Sequence, residues 1–311
     1  MTQRAVTLPT SYCVILAVSS THLINDLIQF LLPALYPLLK SEYALSYFQL
    51  GLLTLAQQIT ACILQPVLGL YGDLRPKPYS LALSLAIVAI GVLLLATAGS
   101  FEGLLVASTV LGLGSALFHP EASRVCRMAS GGRLGFAQSS FQVGGNTGTA
   151  LGPLAAAIIV LPLGQFSTIW FGLLAVGGII ILLWVARWFT HHQRMMQAAG
   201  APAATGPALP RKRLVIAFAV LGALLLSKFV YIETFKAYYV FFLIEKFGLD
   251  IPTHRACCLS FLPLLLLARF SAVPSGTVLA AKRSSGARLS ARSPLPFCCR
   301  TPPCGRQYAL A

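Results

Sequence analysis

The sequence predicts an all-α polytopic membrane protein built on the plan of repeated halves, and three observations carry that prediction. Of 311 residues, 57% are hydrophobic and only 10% charged, whereas a soluble domain carries about 25% charged residues. Uncharged stretches long enough to cross a bilayer recur along the chain. After the sixth of them comes a polar stretch rich in Ala, Gly and Pro that ends in Arg211-Lys212-Arg213. A soluble enzyme, a secreted disulfide scaffold and a disordered chain are all disfavoured by this composition.

Each span follows from where charge is missing. Residues 5–39 hold no histidine but His22 and no formal charge but Asp26. Residues 43–72, 78–101 and 103–118 hold no charge at all. The uncharged run 134–186 is too long for one helix, and Leu161-Pro162-Leu163-Gly164 supplies its turn. A further run, 214–244, includes Lys228, Glu233 and Lys236. At about 20 apolar residues per crossing, the expected helices lie near 13–39, 47–70, 79–98, 103–119, 136–160, 166–188 and 214–243. No cleaved leader is expected before the first.

Basic residues then orient the chain. Arg4, Arg75, Lys77, Arg124, Arg127, Arg133, Arg187, Arg194 and Arg211–Arg213 fall at alternate ends, which places the amino terminus in the cytoplasm. The expected plan is a six-helix bundle over 1–189, a cytoplasmic linker over 190–213 and the start of a second half over 214–252, as in transporters of repeated halves. Residues 253–311 differ in kind. They hold 8 Lys+Arg and no acid, with Cys257, Cys258, Cys298, Cys299 and Cys304, while residues 1–252 hold 15 Lys+Arg and 8 Asp+Glu.

Polar residues inside spans are the candidate sites, because they are costly at bilayer depth. His22, Asn25, Asp26 and Gln29 share one face of the first helix at i, i+3, i+4 and i+7. They either act on substrate or protons in a wet cavity or form a hydrogen-bond cluster that holds helices together. Thr54, Gln58 and Gln65 make a weaker stripe on the second helix, read as packing or cavity lining. On the fifth helix, Gln138, Gln142 and Asn146 accompany Gly144, Gly148 and Gly152, a small-residue seam for close backbone approach. The seam is either static packing or a hinge surface, and Pro153 favours a bend beside it.

Two loops carry charge. In Gly69–Lys77, Asp73 and Arg75 either form a cytoplasmic gate or belong to a solvated turn. His119-Pro120-Glu121 is expected to close the fourth helix, and Glu121 would pair with Arg124 at i, i+3 if the helix continued. The tail cysteines lack zinc-ligand spacing and a histidine among them, and there is no phosphate-cradling glycine loop. No metal, cofactor, nucleic acid or catalytic role is therefore expected.

Thr21–Asp26, Phe118–Arg124 and Ser140–Gly148 closely resemble the fosmidomycin-resistance-like branch of the major facilitator superfamily. Gly69–Lys77 resembles that superfamily's loop 2–3 signature, with Asp73 as its acid, and Gly148–Pro153 its antiporter motif. The resemblance covers about residues 10–252. It implies twelve helices and efflux of small molecules from the bacterial inner membrane in exchange for protons, by a monomer in the lipid bilayer. The candidate substrate or proton groups are then His22, Asn25, Asp26, His119, Glu121, Gln142 and Asn146, the candidate cytoplasmic gate Asp73, Arg75 and Arg124, and the candidate hinge Gly144, Gly148, Gly152 and Pro153. Lys228, Glu233 and Lys236 are atypical of the branch.

The tail is expected to be the product of a frame slip. When each codon takes its last two bases from the first two of a residue here, residues 268–285 can decode as an apolar stretch in which 271–281 read Gly-Gly-Pro-Ile-Gly-Asp-Arg-Phe-Gly-Arg-Lys, a second copy of the Asp73 loop. On that reading helices eight to twelve are missing, the second half is incomplete and the chain is inactive alone. The rival readings are a seven-helix receptor or retinal photoreceptor, prompted by Lys228, and a non-transporting membrane subunit.

Overall fold

The computed structural model describes residues 9–198 except Pro76, together with scattered positions between 210 and 246. Among the described residues, six helices are long and apolar enough to cross a membrane. We label them α1 (Tyr12–Gln29), α2 (Tyr47–Leu74), α3 (Ser80–Thr97), α4 (Phe101–Ala129), α5 (Leu134–Ala155) and α6 (Ile169–Ala198). All six expected spans of the first half are present.

Their boundaries depart from expectation where local chemistry dictates. After α1 the chain continues as two short helices, Leu31–Ala34 and Tyr36–Glu42, because Pro33 and Pro37 each lack a backbone donor. At the start of α2 Ser46 and Gln49 form a reciprocal cap, Gln49 N donating to Ser46 Oγ at 3.2 Å and Ser46 N to Gln49 Oε1 at 2.9 Å. That helix runs four residues past the expected 70, so Gly69–Leu74 is helix and not loop. The fourth helix does not close at His119: α4 carries Pro120 within it and ends at Ala129. Beyond Pro153, residues Ala156–Val160 form a π-helical turn, the widened ladder that accommodates a disrupted i→i−4 bond. Gly164, at φ +81°, makes the turn into the last helix. Residues 190–198 hold no Gly or Pro, and α6 continues through them into the expected linker.

The arrangement follows from the seams. The α1 helix lies against α5 and α4, α4 takes α2 and α3 on its other sides, and α6 covers α3 and α1. Val18, Ile28, Leu32, Leu85, Leu111 and Phe118 are buried between them. Ile63, Leu70, Leu83, Ile90, Leu173 and Ile180 are more than half exposed on the outside, as expected of a surface that meets lipid instead of water. The expected seventh span lies largely outside the described residues, as do Lys228, Glu233, Lys236 and the whole of 253–311. Its described positions between 215 and 224 are helical.

Candidate functional site

The α1 stripe closes on α4 and α5. Asp26 stands between two imidazoles: His22 Nε2 lies 3.3 Å from its Oδ2, and His119 Nε2 lies 3.5 Å from its Oδ1. Asn25 Nδ2 donates to the same Oδ1 at 3.0 Å and orients the carboxylate. His22 is buried and stacks on the Phe141 ring, with centroids 3.9 Å apart, while its Nδ1 lies 2.8 Å from the Phe141 carbonyl oxygen. His119 Nδ1 lies 2.9 Å from the Ser115 carbonyl oxygen, one turn back along α4. Gly145 of α5 makes room for this cluster: a Cβ there would overlap the His22 ring and come within 2.8 Å of Asp26 Oδ2. The three side chains hold their ligand-capable atoms within 4.8 Å of one another, the one such grouping among the described residues.

The fourth stripe member points elsewhere. Gln29 Nε2 donates to the Leu111 carbonyl at 3.0 Å, and Gln57 Nε2 donates to Gln29 Oε1 at 2.7 Å. This buried amide pair ties α1, α2 and α4 together. Gln57 was not part of the Thr54, Gln58, Gln65 stripe, so the buried polar face of α2 lies one position from the one expected.

Glu121 does not join the Asp26 cluster. It is buried at 3% exposure and accepts from Arg124 Nη1 at 2.8 Å. Arg124 also donates through Nε and Nη2 to Asp73 Oδ1, at 3.1 and 3.0 Å, and through Nη2 to the Gly69 carbonyl at 3.2 Å. The continuing helix thus produces the i, i+3 pair and extends it to α2. Gly72 serves here as Gly145 does above, since a Cβ on it would overlap Glu121 Oε1. Arg75 is exposed and lies outside this ion cluster. Gln142 and Asn146 meet each other on α5, Nε2 to Oδ1 at 3.3 Å, with Gln142 exposed.

The glycine seam has a definite partner. Any Cβ on Gly144 or Gly148 would overlap the carbonyl oxygens of Ser19 or Leu23, and one on Gly152 would come within 2.8 Å of that of Leu27. Three glycines one turn apart on α5 therefore match three carbonyls one turn apart on α1. This close approach lets the Phe141 carbonyl reach His22. Pro153 is exposed beside the seam.

Comparison with known proteins places the chain. The model of the Major Facilitator Superfamily matches residues 18–299. The fosmidomycin resistance protein of Escherichia coli (strain K12) is 45% identical over 272 residues, which is 87% of this chain and 64% of that protein. An uncharacterized MFS-type transporter of Bacillus subtilis (strain 168), YfnC, is 42% identical over 180 residues, 58% of this chain and 44% of that protein. A bacterial homolog of the human lysosomal transporter Spinster, inward-facing and unoccupied, superposes with a TM-score of 0.63 at 17% identity, over 89% of this chain and 64% of that one. This chain spans less than two thirds of the length of each of them.

Proposed function

The chain belongs to the Major Facilitator Superfamily, and on that premise we propose that it carries the amino-terminal half of an exporter of small molecules of the fosmidomycin type. The exporter sits in the bacterial inner membrane with its amino terminus in the cytoplasm and acts as a transporter, not an enzyme. It exchanges substrate for protons by alternating access. The observation that carries this reading is the His22–Asp26–His119 cluster, set near the middle of the Tyr12–Ala34 span. An ionisable cluster at that depth is expensive and marks an ion or substrate pathway.

In this reading Gln142 and Asn146 line the substrate path from α5. The Asp73–Arg124–Glu121 cluster locks the cytoplasmic end of α2 to that of α4. The Gly144, Gly148, Gly152 seam, with Pro153 beside it, is the surface along which α5 slides on α1 as access alternates. Residues 253–311 are the product of a shifted frame, supported by the second Asp73-like loop their codons can encode. Two bundles must rock about a shared site, so the chain as it stands does not transport.

Fosmidomycin susceptibility of a sensitive strain tests this. Two genes are expressed: the chain as it stands, and the chain with the frame restored after residue 252. The restored chain should raise the tolerated concentration several-fold, and Asp26→Asn should remove that gain at unchanged membrane levels. Resistance that is absent from the restored chain, or indifferent to Asp26, would refute the reading.

A further inference from the structure

We propose that His22, Asp26 and His119 form a single two-proton site, in which both protons sit on imidazole Nε2 atoms and are bound or released as a pair. The inference deepens the proton-exchange reading above and rests on it for its role in transport.

It comes from donor and acceptor bookkeeping. A carbonyl oxygen only accepts, so His22 Nδ1, 2.8 Å from the Phe141 oxygen, carries a hydrogen. His119 Nδ1 has two neighbours, and the nearer is the Ser115 carbonyl at 2.9 Å against the Ser115 hydroxyl at 3.3 Å. It too carries a hydrogen. In a neutral imidazole the other nitrogen is then a bare lone pair. Both Nε2 atoms nevertheless face carboxylate oxygens, His22 toward Oδ2 and His119 toward Oδ1. Without added protons these would be two acceptor-to-acceptor contacts, with His22 buried and Asp26 and His119 partly so.

One proton, on either ring or on Asp26 itself, relieves one contact. Two are needed to relieve both. Their arrival takes the cluster from a net charge of −1 to +1, and their departure reverses it. Neighbouring elements offer no substitute: α3 and α5 contain no titratable residue, and α6 none before Arg187. On α4, Glu121 and Arg124 are committed to each other, and on α2 Asp73 is bound to Arg124. Each imidazole addresses a different carboxylate oxygen, at 3.3 and 3.5 Å, an arrangement that suits two imidazolium–carboxylate ion pairs.

The pairing also explains how occupancy reaches the helices. His22 is on α1, His119 on α4, and the Phe141 carbonyl and Gly145 on α5. Loss of both protons turns the His119–Asp26 contact, which joins α4 to α1, repulsive, while the α1–α5 glycine seam is untouched.

The test counts protons on the purified chain in lipid nanodiscs, with no substrate present. Potentiometric titration compares the chain with Asp26→Asn and His119→Gln, and 15N spectra of the histidine-labelled chain place each proton on its nitrogen. The native cluster should exchange two protons, with the His22 and His119 Nε2 signals changing together. Asp26→Asn should exchange one at most, since a carboxamide can donate to one Nε2 itself. If that variant does not fold, His119→Gln carries the same test, with one proton expected. Rings that stay neutral throughout while Asp26 is charged, two rings with separate midpoints, or one tightly held divalent metal per chain by elemental analysis would each overturn the proposal. The resistance assay reads transport whatever this count shows, so failure of one reading is separable from failure of the other.

Discussion

The ring of His22 occupies the space that a side chain at Gly145 would fill. A histidine on α1 and a glycine on α5 are thus two halves of one feature, and the closeness of the backbones is what places the imidazole against both Asp26 and the Phe141 carbonyl.

Gly145→Ala should therefore act at the cluster. The added methyl displaces His22, and overpacking of this kind costs about 1–3 kcal/mol. Thermal unfolding in detergent should show the loss, and histidine spectra should show His22 altered. Gly177→Ala on α6 is the control: nothing lies within 4 Å of a Cβ there, so its unfolding temperature should not fall.

The seam predicts a graded series. Gly148→Ala places a methyl on the Leu23 carbonyl and Gly152→Ala one at 2.8 Å from that of Leu27. Each should lower stability by about 1–3 kcal/mol, with Gly148 the worse. A cysteine pair across the seam should cross-link less readily in Gly148→Leu than in the native background. Unchanged cross-linking would remove close backbone approach as the purpose of these glycines.

Removing Arg124 should cost far more than removing Asp73. Arg124→Gln leaves Glu121, only 3% exposed, as an unpaired buried charge, a loss of about 3–5 kcal/mol. Asp73 has a side chain 64% exposed, and its exposed ion pair contributes about 0–1 kcal/mol. Membrane accumulation of Arg124→Gln should drop sharply and recover in Arg124→Gln/Glu121→Gln. Asp73→Asn should accumulate normally.

Gln57→Leu should weaken the α1–α2–α4 contact by about 0.6–2 kcal/mol, the range for hydrogen bonds between membrane helices. It leaves Gln29 with its bond to the Leu111 carbonyl. Gln58→Leu, one position on, should have a smaller effect on unfolding. Equal effects would mean that the Gln29–Gln57 bond contributes little.

How much of the site could be read beforehand depended on the helix. His22 and Asp26 were legible because i, i+4 places them on one face whatever the helix packs against. Gln57 was not. A helix apolar on every side has no polar face to set its rotation, so Thr54, Gln58 and Gln65 looked as good a stripe as any. Glu121 and His119 are both candidates for the substrate or proton path, but two residues turn an α-helix by about 200°. Once Pro120 is accommodated within α4, the two side chains must face opposite ways, toward Asp26 and toward Arg124. Gly145 sat in plain view beside Gly144, yet its part follows only from what lies opposite.

By itself the sequence determined that this is a multi-pass helical membrane protein, where its first six spans run and which of its helices carries a glycine seam. Those properties follow from hydrophobic length, charge and side-chain size, all local to the chain. Tertiary structure alone decided that His119 joins His22 at Asp26, that Arg124 also binds Asp73, and that Gln29 binds Gln57. Each is a contact across helices, set by how far each helix rotates and slides in its seam, and an apolar surface in lipid records neither.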